Sequence, residues 1–418
     1  MMIFIIILIV NLLFASDLAH AGNIDLHGFV QGNYASRITG EEIKDGYSDY
    51  ILGEERLQAA VSGYTAEQGG GFFVKSDFFH DAIKDKSDIE LREAYMDYSS
   101  GIIDIRAGRQ IITWGAGDLL FINDTFPKDW TAFFSGRPME YLKIGSDGFN
   151  IRLSSDIISA EAVVVPFFKG DNLPASDRFF LFDPFSDVSN KTITEPKDKI
   201  SNTELSLRVY RNIAGFDTSF YLYKGFYRSP GFEADSMLSP SYVRYLYPEL
   251  AVYGMSLQGN FAGGVLSLEG GYYDSLNDRK GNNGGIENSM IKILTGYSRQ
   301  MLWEDFTAGF QYYGEYMMSY DEYLDSIPAD MTKKDRYRQV VTMRLTQFLK
   351  YQTIRLSLFT FYSPTDEDYY LIPEIRYSLS DEMWASLGGN IFGGKKDTTF
   401  FGQFDKNDNI NLAIRYEF

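Results

Sequence analysis

The last eleven residues, DNINLAIRYEF at positions 408–418, decide the fold. Their side chains alternate strictly between two kinds. One set is Ile410, Leu412, Ile414, Tyr416 and Phe418, and the other is Asn409, Asn411, Ala413, Arg415 and Glu417. A period of two residues is typical of a β-strand with one apolar and one polar face. Soluble sandwiches and membrane barrels both contain such strands, so the rest of the chain must separate them.

The amino terminus favours export. It reads MMIFIIILIVNLLFASDLAHAG, with an apolar core over 3–14 followed by Ala19-His20-Ala21. This pattern predicts a secretory signal peptide over 1–21, although the usual positive charge is missing, and an N-terminal anchor helix is the alternative. The longest later apolar run, 162–168, is too short for a membrane-spanning helix. We therefore expect one exported domain over 22–418.

The composition excludes several classes of function. The net charge of −18 argues against a nucleic-acid partner, which requires a basic face. The absence of cysteine excludes disulfides and thiolate chemistry. Beyond the signal peptide the histidines are His27 and His80, and Asp81 beside His80 falls in a short loop, so an outer-membrane hydrolase is disfavoured. We predict no enzymatic activity, no metal and no cofactor.

Alternating segments recur along the whole chain, which is rich in tyrosine, phenylalanine and glycine. We count about eighteen, with sixteen as the alternative. They fall near 24–36, 54–64, 70–79, 88–99, 101–111, 141–155, 158–168, 202–213, 214–226, 250–262, 263–274, 289–301, 304–317, 337–350, 351–362, 368–379, 381–393 and 408–418. Each is about long enough to cross a bilayer at a tilt.

The connections alternate in length. Short turns fall near 65, 99, 155, 213, 262, 302, 350 and 379, whereas most intervening connections are long, with exceptions at 80–87 and 363–367. Short turns at one rim and long loops at the other are typical of outer-membrane barrels. An open edge would leave backbone groups unpaired in hydrocarbon, so the last strand must pair with the first. The fold predicted is an all-β, transmembrane, antiparallel up-and-down β-barrel.

The polar faces of these strands predict the barrel interior. By parity, the inward positions include Arg56, Lys75, Arg106, Arg152, Arg208, Arg338, Arg344, Arg355, Glu374, Arg376 and Arg415. Arginines in a row present planar donors suited to an anionic solute. The alternative is a lattice of salt bridges that stiffens the wall. Acidic loops such as 319–330 argue against a strong preference for anions.

The connection 112–140 is too apolar for a freely solvated loop. Its large side chains are Trp114, Leu119, Leu120, Phe121, Phe126, Trp130, Phe133 and Phe134. Folded inward, the loop would narrow a pore, with Trp114, Asp118 and Trp130 as constriction residues. Folded outward, it would cover the rim or contact another subunit. We favour the inward arrangement because the barrel interior can bury these side chains.

The stretch LREAYMDYSSGIIDIRAGRQIITWGAGDLL at 91–120 resembles a pattern in porin-like outer-membrane barrels, Gly-Arg-Gln-x-x-x-Trp-Gly. It is also similar to a hairpin of the alginate-export barrels, and the similarity continues weakly through 135–144. The positions that carry it are Glu93, Arg106, Arg109, Gln110, Trp114 and Gly115. The resemblance implies eighteen strands, a charged lumen, and a Glu93–Arg109 pair bracing the hairpin. That pair would require a bulge near Gly108.

These observations favour a passive outer-membrane channel of a Gram-negative bacterium. Its solutes would be small and hydrophilic, including anionic ones, with the 112–140 loop as the constriction. The alternatives are an exporter of an acidic polysaccharide and a structural sleeve around a partner protein. Expected partners are outer-membrane lipid, lipopolysaccharide, and the barrel assembly machinery through the strand ending in Phe418. The sequence leaves the oligomeric state open.

Overall fold

A computed structural model describes residues 23–38, 48–65, 69–301 and 305–418. The predicted signal peptide over 1–21 lies outside the described residues, as does the tip of the predicted turn at 302–304. Within the described ranges, no helix is both long enough and apolar enough to cross a membrane.

Strands make up most of the structure. In chain order they are β1 Asn23–Arg37, β2 Tyr50–Thr65, β3 Gly70–Asp81, β4 Lys86–Ser100, β5 Ile103–Gln110, β6 Ser146–Ser154, β7 Ser159–Val165, β8 Lys191–Thr194, β9 Glu204–Ile213, β10 Phe216–Phe226, β11 Gly231–Ala234, β12 Val243–Leu246, β13 Glu249–Phe261, β14 Gly264–Ser275, β15 Met290–Gln300, β16 Phe306–Met317, β17 Tyr337–Leu349, β18 Ile354–Ser363, β19 Asp368–Ser378, β20 Met383–Gly394 and β21 Asn409–Glu417. The α-helices are α1 Trp130–Ser135 and α2 Tyr320–Ser326, and 3₁₀ turns cover Met139–Leu142, Ile200–Asn202 and Gly402–Asn407.

Eighteen of these strands form one closed antiparallel sheet. Each pairs with the next strand of the sheet along the chain, and β21 returns to pair with β1 from Phe29 opposite Glu417 to Arg37 opposite Asn409. The seam is completed by Gly28 and Phe418, whose N–H groups donate to each other's carbonyls at 2.8 and 2.9 Å. Closure leaves no open edge. The predicted eighteen-stranded barrel is therefore confirmed over the alternative of sixteen.

The connections form two different rims. At one end, here called the short-turn rim, turns such as 214–215 and 262–263 are two residues long. Both residues of each turn have positive φ, with Ala214 at 52° and Gly215 at 88°, which matches the right-handed twist of the flanking strands. The other end, the long-loop rim, carries 111–145, 166–203 and 227–248. The observed alternation in loop length is the one that the sequence predicts.

The wall has one apolar face and one inward face. On β21, Leu412 is 57% exposed and its neighbour Ala413 only 5%. Asn409 and Arg415 share the buried face with Ala413, as strict alternation requires. The apolar side chains therefore point away from the barrel interior rather than into a protein core. This arrangement separates the chain from a two-sheet sandwich.

Two details of the fold differ from expectation. Strands β8, β11 and β12 form a separate three-stranded sheet within the long loops, and none of these three strands was predicted. The predicted bulge near Gly108 on β5 is also wrong. The register shift lies on the neighbouring strand β4. Lys75 faces Glu93 and Ser76 faces Leu91, so Arg92 is the extra residue. The bulge turns Arg92 and Glu93 towards the same side of the sheet.

Candidate functional site

The inward face of the wall carries a dense set of ion pairs. All eleven charged residues predicted by parity lie on the inward face of the sheet, and ten of them form ion pairs with residues of opposite charge. The pairs are Arg56 with Glu54 and Asp77, Lys75 with Glu93, Arg106 with Asp97, Arg152 with Glu161, Arg338 with Asp366, Arg344 with Asp118, Arg355 and Arg376 with Glu374, and Arg415 with Glu140. Much of the charge is therefore engaged in a salt-bridge lattice.

Arg208 on β9 is the member of this set with a different environment. Its guanidinium donates to Ser219 Oγ on β10 at 3.2 Å and stands 4.5 Å from the ring centre of Tyr210. No carboxylate in the part of the chain that the structure describes lies within ion-pair distance of it. Arg208 therefore forms no direct ion pair, and Glu161, opposite it on β7, bonds Arg152 instead.

The loop between β5 and β6 folds into the barrel. Its apolar side chains are buried, with Trp114 5%, Phe133 3% and Phe134 2% exposed. Helix α1 lies within it, capped by Asp129, whose Oδ1 accepts from Ala132 N–H at 2.7 Å. The buried side chains contact inward-facing aromatic residues of the wall. The loop therefore takes the inward of the two arrangements considered.

Glu269 on β14 anchors the first half of this loop. Its carboxylate accepts hydrogen bonds from the backbone N–H groups of Ala116, Gly117 and Asn123 at 2.8, 3.0 and 2.8 Å. The Asn123 side-chain amide adds another at 2.9 Å. A buried carboxylate that accepts several N–H donors holds a loop strongly. Gly254 and Gly271 leave room for the loop, because a Cβ on either would clash with Asn123 or Ile122.

Asp118 joins the loop to β16 and β17, which lie across the interior from β5. Its backbone N–H donates to Gln311 Oε1 on β16 at 2.7 Å, and its carboxylate lies 2.6 Å from both Nε and Nη2 of Arg344 on β17. Burial raises the pKa of Asp118, while Arg344 acts in the opposite direction. This contact joins one predicted constriction residue to one predicted inward arginine.

The second half of the loop contacts a further part of the wall. Tyr370 Oη on β19 donates to the Phe133 carbonyl at 3.1 Å, and Asn33 on β1 donates to the Gly136 carbonyl at 3.1 Å. Arg137 bonds Glu54 on β2 at 2.7 Å. Together with Glu269 and Arg344, these contacts stretch the loop across the barrel interior from one wall to the other.

The loop is also held internally by buried charges. Asp124 pairs with Lys128 at 2.9 Å and with Lys143 at 2.6 Å. Burial lowers the pKa of Lys128, and the charge of Asp124 opposes that change. Trp130 Nε1 donates to Asp171 of the next long loop at 2.8 Å. Two long loops therefore pack as one unit inside the barrel.

The half of the interior nearer the long-loop rim contains an aromatic cluster besides its ion pairs, and a purely polar lumen did not predict that cluster. The inward aromatic residues of the wall that pack with the loop are Tyr223, Tyr273, Tyr313, Phe359, Phe361, Tyr370 and Phe392. Phe133 lies 5.5 Å from Tyr370, and Phe134 lies 4.3 Å from Phe404, between ring centres. From the sequence an inward loop was favoured, but none of these wall residues was named as inward.

Two groups of arginines lie nearer the short-turn rim. Arg106, Arg152 and Arg208 belong to β5, β6 and β9, whereas Arg355, Arg376 and Arg415 belong to β18, β19 and β21. The corresponding members are ten positions apart one way round the ring of eighteen strands and eight the other way, so the groups occupy nearly opposite walls. The first group lines a cavity of about 240 Å³ together with Asn150, Glu161 and Tyr210.

The motif residues Glu93 and Arg109 do not form the predicted pair. Glu93 bonds Lys75 at 2.8 Å inside the barrel and accepts from Ile111 N–H at 3.1 Å. Arg109 instead forms a bidentate pair with Asp147 on β6, with contacts of 2.8 and 2.6 Å. Arg109 and Asp147 lie on the outward face, because residues two apart on one strand share a side. The reason for the error is that the bulge lies at Arg92, which leaves the register of β5 undisturbed.

Trp114 of the same motif does lie inside the barrel. Its indole N–H donates to Glu161 on β7 at 3.0 Å, and its ring packs 5.7 Å from that of Tyr221. Trp130 packs against Phe133 at 5.6 Å within the loop. Sequence reasoning missed the anchoring roles of Glu269, Gln311 and Tyr370. The sequence signal for this packing is that Gly254 and Gly271, which have no side chain, lie at inward positions of their strands.

The fold and its interior define a closed eighteen-stranded barrel with a long loop folded across its bore. No protein-family model matches the sequence, and no curated protein matches it. Solved structures do match. OccK11 (OpdR) of Pseudomonas aeruginosa is 11% identical with a TM-score of 0.56, covering 94% of this chain and 95% of its own.

Two further solved structures share the same architecture. OccAB4 of Acinetobacter baumannii is 9% identical with a TM-score of 0.57, covering 95% of this chain and 99% of its own. OccD3 (OpdP) of Pseudomonas aeruginosa is 10% identical with a TM-score of 0.54, covering 95% and 91%. At these identities the similarity establishes the fold, and the function has to be argued from the interior.

Proposed function

We propose that the chain is a porin-like channel of a Gram-negative outer membrane that lets small hydrophilic solutes, including anions, diffuse passively. The observation that carries this proposal is the pair of arginine groups on nearly opposite inward walls. A solute passing between them would meet guanidinium donors from both sides. Such donors suit carboxylate and phosphate groups. Passive transport requires no residue to carry out chemistry.

The outer-membrane location rests on the wall itself. Its outward face is apolar along strand after strand, as Val30, Phe220 and Leu412 illustrate, and the sheet is closed. Closed antiparallel barrels with apolar exteriors are how strands cross a bilayer. Outer-membrane lipid and lipopolysaccharide are then the surroundings. In this orientation the short-turn rim, with Tyr416 and Phe418, faces the periplasm.

The loop 111–145 would act as the constriction. It crosses the interior between Glu269 on one wall and Tyr370 on another, so it reduces the open section of the barrel. Asp118 and Arg344 place opposite charges beside the remaining space. The narrowest part would therefore be lined by a loop that several wall contacts hold in one position.

A liposome-swelling assay tests the proposal. Proteoliposomes containing the purified protein are placed in neutral, anionic and cationic solutes of matched size, and swelling rates are compared. We expect uptake of all three kinds, with the anion favoured. Swelling no faster than in protein-free liposomes would contradict the channel, and a preference for the cation would contradict the role of the arginines.

Arg208→Gln is the sharpest variant for selectivity because it removes a charge without leaving a carboxylate unpaired. One unit charge acting over several ångströms of water is worth about 0.5 kcal/mol, which predicts roughly a twofold fall in anion uptake relative to neutral uptake. The matched control is Arg211→Gln, which removes an exposed arginine from the outward face of the same strand. The control should leave the ratio unchanged.

A further inference from the structure

The Arg109–Asp147 pair is charged yet faces outward. The two residues are opposite each other on β5 and β6, and the next outward rung is Ala107 opposite Phe149. Phe149 is 49% exposed on the apolar exterior. Arg109 also donates to the Leu91 carbonyl at 3.2 Å, next to the bulge on β4, and its side chain packs against Gly145 at the end of the loop. The passage of solutes does not require the pair.

The pair lies within the apolar band rather than above it. Arg109 lies six residues and Asp147 seven residues from the short-turn ends of β5 and β6, whereas Tyr253 and Tyr272, exposed in the long-loop half, each lie eight from the short-turn ends of their strands. On β4, beyond Ala94 towards the long-loop rim, Leu91 and Ile89 are still exposed, at 39% and 55%. A charged side chain facing lipid at that level destabilises a barrel.

The surroundings of the pair also differ from the rest of the exterior. The outward neighbours of Arg109 are the small Ala94 and Ala107, and larger Phe149 and Val164 follow on β6 and β7. Elsewhere, exposed tyrosines ring the half nearer the long-loop rim, namely Tyr34, Tyr253, Tyr272, Tyr337, Tyr362 and Tyr369. Strands β3 to β10, all within the described ranges, carry no outward tyrosine in that half. Aromatic girdles mark contact with the membrane interface.

We propose that the outward side of β4–β7, here called the dimer face, binds a second copy of this chain. Both signs of charge lie side by side on one rung, so the face is self-complementary. A two-fold axis between β5 and β6 brings Arg109 of one copy to Asp147 of the other, and the reverse. Ala94 and Ala107 beside Arg109 leave room for a second wall to approach the pair. The proposal is independent of whether the barrel conducts solutes.

Cross-linking in membranes tests the dimer face directly. The chain contains no cysteine, so Ala107→Cys introduces a single thiol beside the proposed axis. Ile375→Cys is the matched control on β19, across the barrel, where the outward side chain is 52% exposed at a similar distance from the short-turn rim. A bismaleimide should convert the first variant to a species of twice the mass and leave the second monomeric. Equal cross-linking of the two would overturn the proposal.

A charge exchange between copies tests the pairing itself. Arg109→Asp and Asp147→Arg each place like charges on the dimer face, so either variant expressed alone should lose the cross-link of Ala107→Cys. Co-expression of the two restores opposite charges between copies but not within one copy, and the cross-linked dimer should return. Migration without heating reports whether each variant is folded. Folded single variants that cross-link as well as the parent would refute the pairing, as would a mixture that stays monomeric.

Discussion

Asp118 and Arg344 show how one side-chain contact joins the loop to the wall. Burial raises the pKa of Asp118, and the neighbouring guanidinium opposes that effect by favouring the carboxylate. Both groups lie beside the proposed constriction, where a change of charge should alter conductance. The titration of Asp118 is therefore measurable from the current itself.

The pH dependence of that current gives a residue-scale prediction. Arg344→Gln removes the charge that lowers the pKa of Asp118, so the carboxyl should protonate at a less acidic pH than in the parent. The midpoint of the conductance change on acidification should therefore lie at a higher pH in Arg344→Gln than in the parent. Asp118→Asn is the control, since it removes the titrating group and the associated change. An unaltered midpoint in Arg344→Gln would show that Asp118 does not govern the acid response.

Glu269 supports a second prediction at this scale. Glu269→Ala removes the acceptor for Ala116, Gly117 and Asn123, and unpaired buried donors should reduce the free energy of unfolding by about 2–4 kcal/mol. The loop should also become sensitive to protease. Ser267→Ala, two residues earlier on the same inward face, removes one bond from Gln258 and should cost only about 1 kcal/mol, with the loop still resistant to protease. Urea unfolding in micelles and limited proteolysis measure both effects.

The alternation of side chains predicted which face of the sheet each residue occupies, but not which residue it contacts. Arg344 and Arg415 face inward as their strands predict, because alternation is a local property of the backbone. Their partners Asp118 and Glu140 come from a loop whose path depends on tertiary packing. Arg109 was assigned a wrong partner because β5 has no bulge near Gly108, so unbroken alternation turns Arg109 outward, away from Glu93. Local rules therefore predicted direction, while contacts between distant segments lay beyond them.

At the scale of elements, the loop 111–145 is separate from the sheet that encloses it. Every barrel strand is paired on both sides without the loop, so the sheet should survive its removal. Joining Ile112 to Leu142 through a short glycine linker should leave a folded barrel with several-fold higher conductance. Trimming 235–240, an exposed turn between β11 and β12, is the control and should change conductance little. Unchanged conductance without the loop would refute its role as the constriction.

The strands were predictable because each had to alternate over enough residues to cross a bilayer. Every one of the eighteen predicted segments overlaps a barrel strand. Strands β8, β11 and β12 were not predicted because each is only four residues long, which is too short for a two-residue period to be recognised. For the loop, the sequence predicted burial of the apolar side chains but not the path of the backbone. Its apolar side chains require a buried environment, and the wall residues determine where.

At the scale of the whole molecule, the barrel depends on its seam. Phe418 contributes two backbone hydrogen bonds to Gly28, and it ends the strand that we propose the assembly machinery recognises. Removing Phe418 should lower the folded, heat-modifiable fraction in the outer membrane. Tyr351→Ala, which alters a fully exposed aromatic residue in a turn at the same rim, should not. Equal folded fractions would argue against a special role for the terminal residue.

Single-channel recording in planar bilayers tests the central claim most directly. That claim is a closed barrel with an apolar exterior, through whose charged interior small solutes pass despite the folded loop. Purified protein, shown to be folded by its heat-modifiable migration, should produce stepwise ohmic currents whose reversal potential in a salt gradient favours the anion. A membrane that stays silent with folded protein inserted would contradict the account and favour the structural sleeve.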